Sequence, residues 1–466
     1  MVISDWLWQR VHDYLFSGRT ERFAFLYCGI SRHTDGVSLL ASDVALVPDE
    51  EVEFDEGFRL TVGALVEVTN KARKLGVALV EVHYHPFSGK RVTFSSTDRV
   101  GFGEFVPYIL DDLPDRPYGA LVLGDQSVDG VLWERSVDNP QPIEEILVEG
   151  KNLNRLSITS KSTNKDRRSR PEVGPRGRTN RQILAIGLTG QASLEGVRVG
   201  IVGLGGLGSH VAQQLTYLGV RHFILIDGDR VDPTSLNRMV MAEPRDVGRM
   251  KVDVIGEQIE RVAGRKNVSV KRLATDVRDV DALEGIKDVD VLFGCVDNDG
   301  ARLVLNELAC AYLIPYFDLA VGLASDNDAI SEAGGRIAVV LPTGPCLLCA
   351  REVDLKQASD DLASEEELMR RRLQGYAGPA VSSPSVVSLN GVIASVAAQE
   401  FLAFVSKIRP VRTFTVYDMM EHERSPVVSR LVAADPDCIA CASKGTGDKT
   451  WIERYSSRKS PASKAA

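Results

Sequence analysis

The stretch VRVGIVGLGGLGSHVAQQL, Val197 to Leu215, decides the fold. An apolar run of strand length, VRVGIVG, enters the turn Gly203-Leu-Gly205-Gly206-Leu-Gly208, and a helix follows from Ser209. Glycines there let the backbone approach a phosphate, and the amides of a helix N-terminus receive it. Outward from this turn, strand and helix alternate: HFILIDGD, a helix around Lys251, then VDVLFGCVDN. That order predicts parallel strands with crossover helices, a doubly wound Rossmann-like α/β sheet. The loop fits a nicotinamide dehydrogenase as well as an ATP enzyme. So does Asp227, nineteen residues after Gly208, where a carboxylate reaches a ribose hydroxyl.

The segments DGDRVDPTSLNRM, VGRMK and CVDNDGAR separate the two readings, because they bring Arg238, Lys251 and Asp297 to the carboxyl ends of successive strands. Hydride transfer asks for an apolar nicotinamide pocket. Joining a carboxylate to the α-phosphate of ATP brings two anions together, which needs Arg and Lys on the phosphates and a carboxylate for magnesium.

The 466 residues suggest two or three domains, and 44% hydrophobic with 26% charged residues is an ordinary globular composition. A formal charge of −9 argues against bulk nucleic-acid binding. No apolar run reaches the roughly 18 residues that a membrane span requires, and charges break MVISDWLWQRVHDYLF too early for a signal peptide, so a cytoplasmic protein is expected.

Seven cysteines, an odd number, do not suggest a disulfide framework. Four stand as C-x-x-C pairs, Cys346 with Cys349 and Cys438 with Cys441, and supply the closed thiolate set of a structural zinc. A redox role for one pair would leave the other unexplained. Cys28, Cys295 and Cys310 read as core residues.

Residues 1–150 read as a smaller α+β domain: FAFLYCGI and SLLASDVALV as strands, LTVGALVEVTNKARKLG as a helix, GVALVEVHYH as a buried strand. Residues 151–177 are basic, rich in Ser and Pro, and expected to be a flexible linker. The doubly wound domain occupies 178–443, with a charged insertion from Val353 to about Leu373 and a buried helix near Pro384 to Phe404. A disordered tail is expected over 444–466.

In EVHYHPFSGKRVTFSSTD, Glu81 to Asp98, His83 and His85 alternate on an extended segment and so face one ion. Asp98 adds a third ligand and leaves a fourth zinc position for water. Ser95 would donate to the oxyanion formed by attack on an amide, and Glu21 is the candidate general base. The alternative is a pair of histidines satisfied in a core.

Residues from about Arg178 to Ser443 resemble the ThiF/MoeB superfamily, to which ubiquitin-activating enzymes belong. The resemblance rests on Arg178 to Gln182 as R-x-x-R-Q, the glycine loop, the D-x-D of Asp227 and Asp229, Arg238 and Lys251, Val296 to Asn298, and both zinc knuckles. It implies that Asp227 holds the ribose, Arg238 and Lys251 the phosphates and Asp297 the magnesium, while Arg181 enters the active site of a second subunit in a homodimer. Ser235 and Met239 stand where the family usually has Asn and Gln. The first domain resembles the JAMM (Mov34/MPN/JAB) metalloproteases through Glu21, His83-x-His85-Pro86 and Ser95-x-x-Asp98, with a longer spacer between His85 and Ser95 than is usual there.

Together the resemblances imply a bifunctional enzyme acting on a small β-grasp protein. A zinc (iso)peptidase would process its C-terminus, and an adenylyltransferase using ATP and magnesium would activate that C-terminus. No cysteine lies between Ala350 and Asp437, so no thioester is expected on this chain, and the adenylate would pass to a conjugating enzyme or a sulfurtransferase. The alternative is sulfur-carrier activation for cofactor or amino-acid biosynthesis, with the N-terminal half a non-catalytic docking module.

Overall fold

The strand Phe23–His33 is apolar on both faces, and this alone requires covering layers on either side of its sheet. Ala24, Leu26 and Cys28 join Leu7, Val11 and Leu15 of the helix Asp5–Phe16 in one core. Phe23, Phe25 and Tyr27, pointing the other way, meet Val68 and Ala72 of the helix Val62–Leu75 and Phe102, Val106 and Ile109 of the helix Ser96–Asp112.

The computed structural model describes residues 1–17, 21–33, 36–54, 58–86, 88, 91–158, 177–326, 329–374 and 384–449. The chain divides into two units, one of Met1–Ser169 with Ala311–Leu313 and Lys444–Thr450, the other of the remaining residues.

In the first unit a sheet runs in the order Leu153–Ser157, Glu145–Glu149, Val2–Ser4, Gly36–Leu46, Phe23–His33, Ala78–Tyr84, Tyr118–Leu123, Val128–Trp133, Gln141–Pro142. Phe23–His33 and Ala78–Tyr84 are antiparallel with Phe23 opposite His83, so extending that register by two residues sets Glu21 against His85.

The second unit holds parallel strands in the order Ser269–Leu273, His222–Ile226, Arg198–Val202, Val291–Gly294, Tyr316–Asp326, continued by antiparallel Ala329–Val340, Phe414–Asp418 and Val427–Ser429. The chain winds one way from Arg198–Val202 and then returns to its other side. The topological switch point of a doubly wound sheet therefore lies between Arg198–Val202 and Val291–Gly294, where such sheets bind ligands.

Three expectations need correction. Leu153–Ser157, assigned to the linker, pairs antiparallel with Glu145–Glu149; its polar edge residues conceal the strand, while Leu153 and Ile158 are buried. Residues 159–176 lie outside the described set. Of the tail, Gly447 bridges to Ile30 and the Arg32 amide donates to Asp448 at 2.7 Å, so residues 444–449 are held by the first unit; 450–466 lie outside the described set. Finally, the helix Val387–Ser406 is long and apolar enough to cross a membrane, with a mean hydropathy of 1.4. It sits in the core, where Phe401 and Phe404 pack on Phe317.

Candidate functional site

The glycine loop joins the strand Arg198–Val202 to the helix Gly206–Leu218. Gly203 has φ +83°, and a Cβ there would lie 2.6 Å from the Cys295 carbonyl, so glycine is required by both conformation and space. The loops from the two sides of the switch point thus touch. A Cβ on Gly208 would meet the Gly203 carbonyl at 1.8 Å, which keeps the helix close beneath the turn.

Asp227 follows the strand His222–Ile226 and is almost fully buried. Its Oδ2 accepts the Leu204 amide at 2.6 Å and its Oδ1 the Asp229 amide at 2.8 Å. Burial pushes this carboxyl up, against the pull of the Lys251 ammonium 3.8 Å away. Lys251 Nζ also lies 2.7 Å from Asp229 Oδ2. Arg238 donates to the Thr234 carbonyl at 2.7 Å.

Gly203, Gly205, Gly206, Asp227, Asp229, Arg238, Lys251 and Asp297 all line one cleft of about 2620 Å³. That exceeds the roughly 300–1,000 Å³ of a small-molecule site and leaves room for a peptide tail beside a nucleotide. Gly208 lies beneath the cleft and does not line it.

Arg181 is not brought to the cleft. Arg178 donates to the carbonyls of Val262 and Thr216, both at 2.6 Å, and Gln182 to that of Leu218 at 2.7 Å, so these two anchor the helix Asn180–Gly196 and Arg181 between them is exposed. Leu184 and Leu188 on the same helix are also exposed, at 88% and 59%. Ser235 and Met239 are buried and do not line the cleft.

Cys295, read from sequence as a buried strand residue, stands one position beyond the strand Val291–Gly294 and lines the cleft. Burial and then the Asp318 charge push its thiol above the usual cysteine range, with Arg302 opposing. Sequence reading missed the charges around it. Asp318 is fully buried, bonds Arg336 and the Tyr316 hydroxyl, and lies 3.6 Å from Arg302. Arg302, visible in CVDNDGAR, also donates to the Val296 carbonyl at 2.9 Å and so braces the loop that carries Asp297.

The four knuckle cysteines converge. Cys346 Sγ lies 3.8 Å from Cys349 and 3.5 Å from Cys438, and Cys349 lies 3.6 Å from Cys441. Sulfurs bound at ~2.3 Å around a tetrahedral zinc stand ~3.8 Å apart, so the set fits that ion. Hydrogen bonds from Cys310 and then Cys441 hold the Cys346 thiol far below its usual range, placing Cys310 against the cluster.

In the first unit, His83, His85 and Asp98 bring ligand atoms within 4.8 Å of one another. His83 Nε2 is 3.7 Å from Asp98 Oδ1, and His85 Nε2 is 3.2 Å from Asp98 Oδ2. Buried His83 Nε2 has no hydrogen-bond partner, an orphaned polar atom that a metal would satisfy. Burial opposes charge on His83, but without a metal Asp98 and Glu81 outweigh it and hold the ring up at about 9, so a cation would bind Nε2 in exchange for its proton. Asp98 itself, despite burial, is held far below the usual carboxylate range by His83 and His85.

Ser95 caps the helix Ser96–Asp112: its Oγ accepts the Asp98 amide at 3.1 Å, and Asp98 Oδ2 accepts the Ser95 amide at 2.6 Å. This capping box fixes Asp98 and leaves the Ser95 hydroxyl proton for another acceptor. Glu21 Oε1 stands 3.9 Å from His85 Nε2. Burial raises its carboxyl, with His85 and His83 opposing, which suits a base.

The model of the ThiF family matches residues 179–440. The adenylyltransferase and sulfurtransferase uba4 of Aspergillus terreus is 31% identical over 174 residues, 37% of this chain and 36% of that protein. The adenylyltransferase and sulfurtransferase MOCS3 of Caenorhabditis briggsae is 27% identical over 269 residues, 57% of this chain and 60% of its own. The chain thus spans less than two thirds of each of these relatives. Among solved structures, E. coli MccB with ATP is similar at 21% identity, with a TM-score of 0.45 over 57% of this chain and 75% of that one.

Proposed function

Since this chain belongs to the ThiF family, whose model covers residues 179–440, we propose that its second unit adenylates the C-terminal carboxylate of a small β-grasp protein. The observation that carries this reading is the convergence of Arg238, Lys251 and Asp297 on one cleft with the glycine loop at the switch point. A carboxylate oxygen attacks the α-phosphorus of ATP and pyrophosphate leaves. Lys251 and Arg238 offset the phosphate charge, the loop amides and the helix Gly206–Leu218 receive phosphate oxygens, and Asp297 would hold magnesium, which shields the phosphates. Asp227 secures the loop, and its remaining lone pairs serve the ribose hydroxyl.

The relatives' names pair adenylyl transfer with sulfur transfer, which favours a sulfur-carrier partner and a downstream sulfurtransferase over protein conjugation. No cysteine lies between Ala350 and Asp437, and burial with the Asp318 charge raises the Cys295 thiol, which together argue against a thioester on this chain. Exposed Leu184 and Leu188 beside Arg181 support a homodimer in which Arg181 acts across the interface.

For the first unit we read a zinc site of His83, His85 and Asp98, carried by the orphaned His83 Nε2. Zinc there would supply a hydroxide-like nucleophile by lowering the pKa of a bound water. Glu21 would be placed to hold and pass on a proton, and the Ser95 hydroxyl would be free to donate to an oxyanion, the roles that the resemblance to the JAMM proteases implies. The second reading is a docking module without catalysis, supported by the spacer between His85 and Ser95, longer than is usual in the JAMM proteases. Incubation with ATP, magnesium and a β-grasp protein ending in glycine tests the main proposal by intact mass. A carrier gaining one AMP supports it, and an unmodified carrier under saturating ATP overturns it.

A further inference from the structure

A carboxylate inside a strand that is otherwise apolar, ALVEVHY over Ala78–Tyr84, is costly unless each oxygen has a partner. Glu81, 8% exposed, has one for each. Its Oε1 lies 3.2 Å from His83 Nδ1, and its Oε2 accepts the Tyr118 hydroxyl at 2.9 Å. Tyr118 is fully buried on the neighbouring parallel strand Tyr118–Leu123. Glu81 and His83, two residues apart in a strand, share one face, so the contact is built into the pleat.

We propose that Glu81, itself fixed by Tyr118, is the positioning residue that sets the metal-binding tautomer of His83. This rests on the reading of His83, His85 and Asp98 as a metal site. A carboxylate only accepts, so it fixes the proton on Nδ1, which donates to Glu81, and the neutral ring then turns its Nε2 lone pair toward Asp98 and His85. Anionic Glu81 also makes the imidazole a stronger donor to a cation, the carboxylate–histidine–metal arrangement. Tyr118 holds the second oxygen and so prevents Glu81 from turning away. Neither residue touches substrate or the metal position.

The test uses the full chain loaded with zinc, in wild-type form and as Glu81→Gln and Tyr118→Phe. Glutamine keeps the volume, accepts from Nδ1 through its amide oxygen and donates to the Tyr118 hydroxyl, so the strand is expected to fold and only the charge is removed. Competition against a chromophoric chelator reads zinc affinity, and proton NMR reads the downfield N–H shared between His83 and Glu81. The expected result is a 10–100-fold weaker N-terminal zinc in Glu81→Gln, with an upfield shift of that proton and full occupancy of the cysteine site. Tyr118→Phe is expected to weaken zinc less. Unchanged affinity and an unshifted proton in Glu81→Gln overturn the positioning role. If the wild-type chain holds zinc only at its cysteines, and His83→Ala changes nothing, the metal reading itself has failed, a different outcome from the first.

Discussion

The Leu204 amide donates to Asp227 at 2.6 Å, across 23 residues of sequence, and ties the glycine loop to the neighbouring strand end. Loop and strand end form the floor of the cleft, so the loop amides hold their orientation before a nucleotide arrives. A carboxylate buried this way spends its charge on backbone N–H groups, which makes it a structural clamp as well as a candidate ribose contact.

Asp227→Ala removes the acceptor for two amides. ATP binding measured by calorimetry is expected to weaken roughly ten- to a hundredfold, the equivalent of about 1.5–3 kcal/mol for a lost charged hydrogen bond. Wild-type affinity would show that the loop holds its shape unaided.

The alternation of strand and helix, the glycine loop, the cysteine pairs and the histidine pair were legible because each is written in local spacing. FAFLYCGI was legible as a strand from its apolar run, and the pleat alone put His83 and His85 together. What escaped reading depends on distant register. Tyr118 meets Glu81 across 37 residues, and Asp318 meets Arg336 across the hairpin formed by Tyr316–Asp326 and Ala329–Val340. Leu153–Ser157 escaped because an edge strand carries polar residues like those of a linker. Cys295 looked like core because it follows an apolar run, yet one further residue places it at the mouth of the switch point.

Cys438→Ser takes one sulfur from the knuckle cluster. The chain is expected to lose its C-terminal zinc equivalent by elemental analysis and to melt at a lower temperature, since structural zinc contributes of order 10–16 kcal/mol of apparent binding energy. Retained zinc with an unchanged melting temperature would rule out the four-sulfur site.

Cys295→Ala is expected to leave adenylation within a few-fold of wild type. With ATP, magnesium and the carrier, a non-reducing gel of the wild-type chain should show no reductant-sensitive adduct. An adduct that vanishes in Cys295→Ala would make this thiol a covalent relay.

Glu21→Gln keeps the three metal ligands. Zinc content should stay unchanged while hydrolysis of a tail-extended β-grasp protein falls roughly 10²–10⁴-fold, the usual cost of a missing general base. Hydrolysis at the wild-type rate would assign the base elsewhere. If the wild-type chain itself is inactive although zinc is bound, docking becomes the better reading of the first unit.

The central claim, that the cleft of the second unit joins a carrier carboxylate to the α-phosphate of ATP, is tested most directly by pyrophosphate–ATP exchange in the presence of that carrier. Asp297 lines the cleft on the loop braced by Arg302. The account predicts carrier-dependent exchange by the wild-type chain and its loss by at least 10²-fold in Asp297→Ala, with melting temperature unchanged. Exchange at the wild-type rate in Asp297→Ala, or none in the wild type with carrier present, would contradict it.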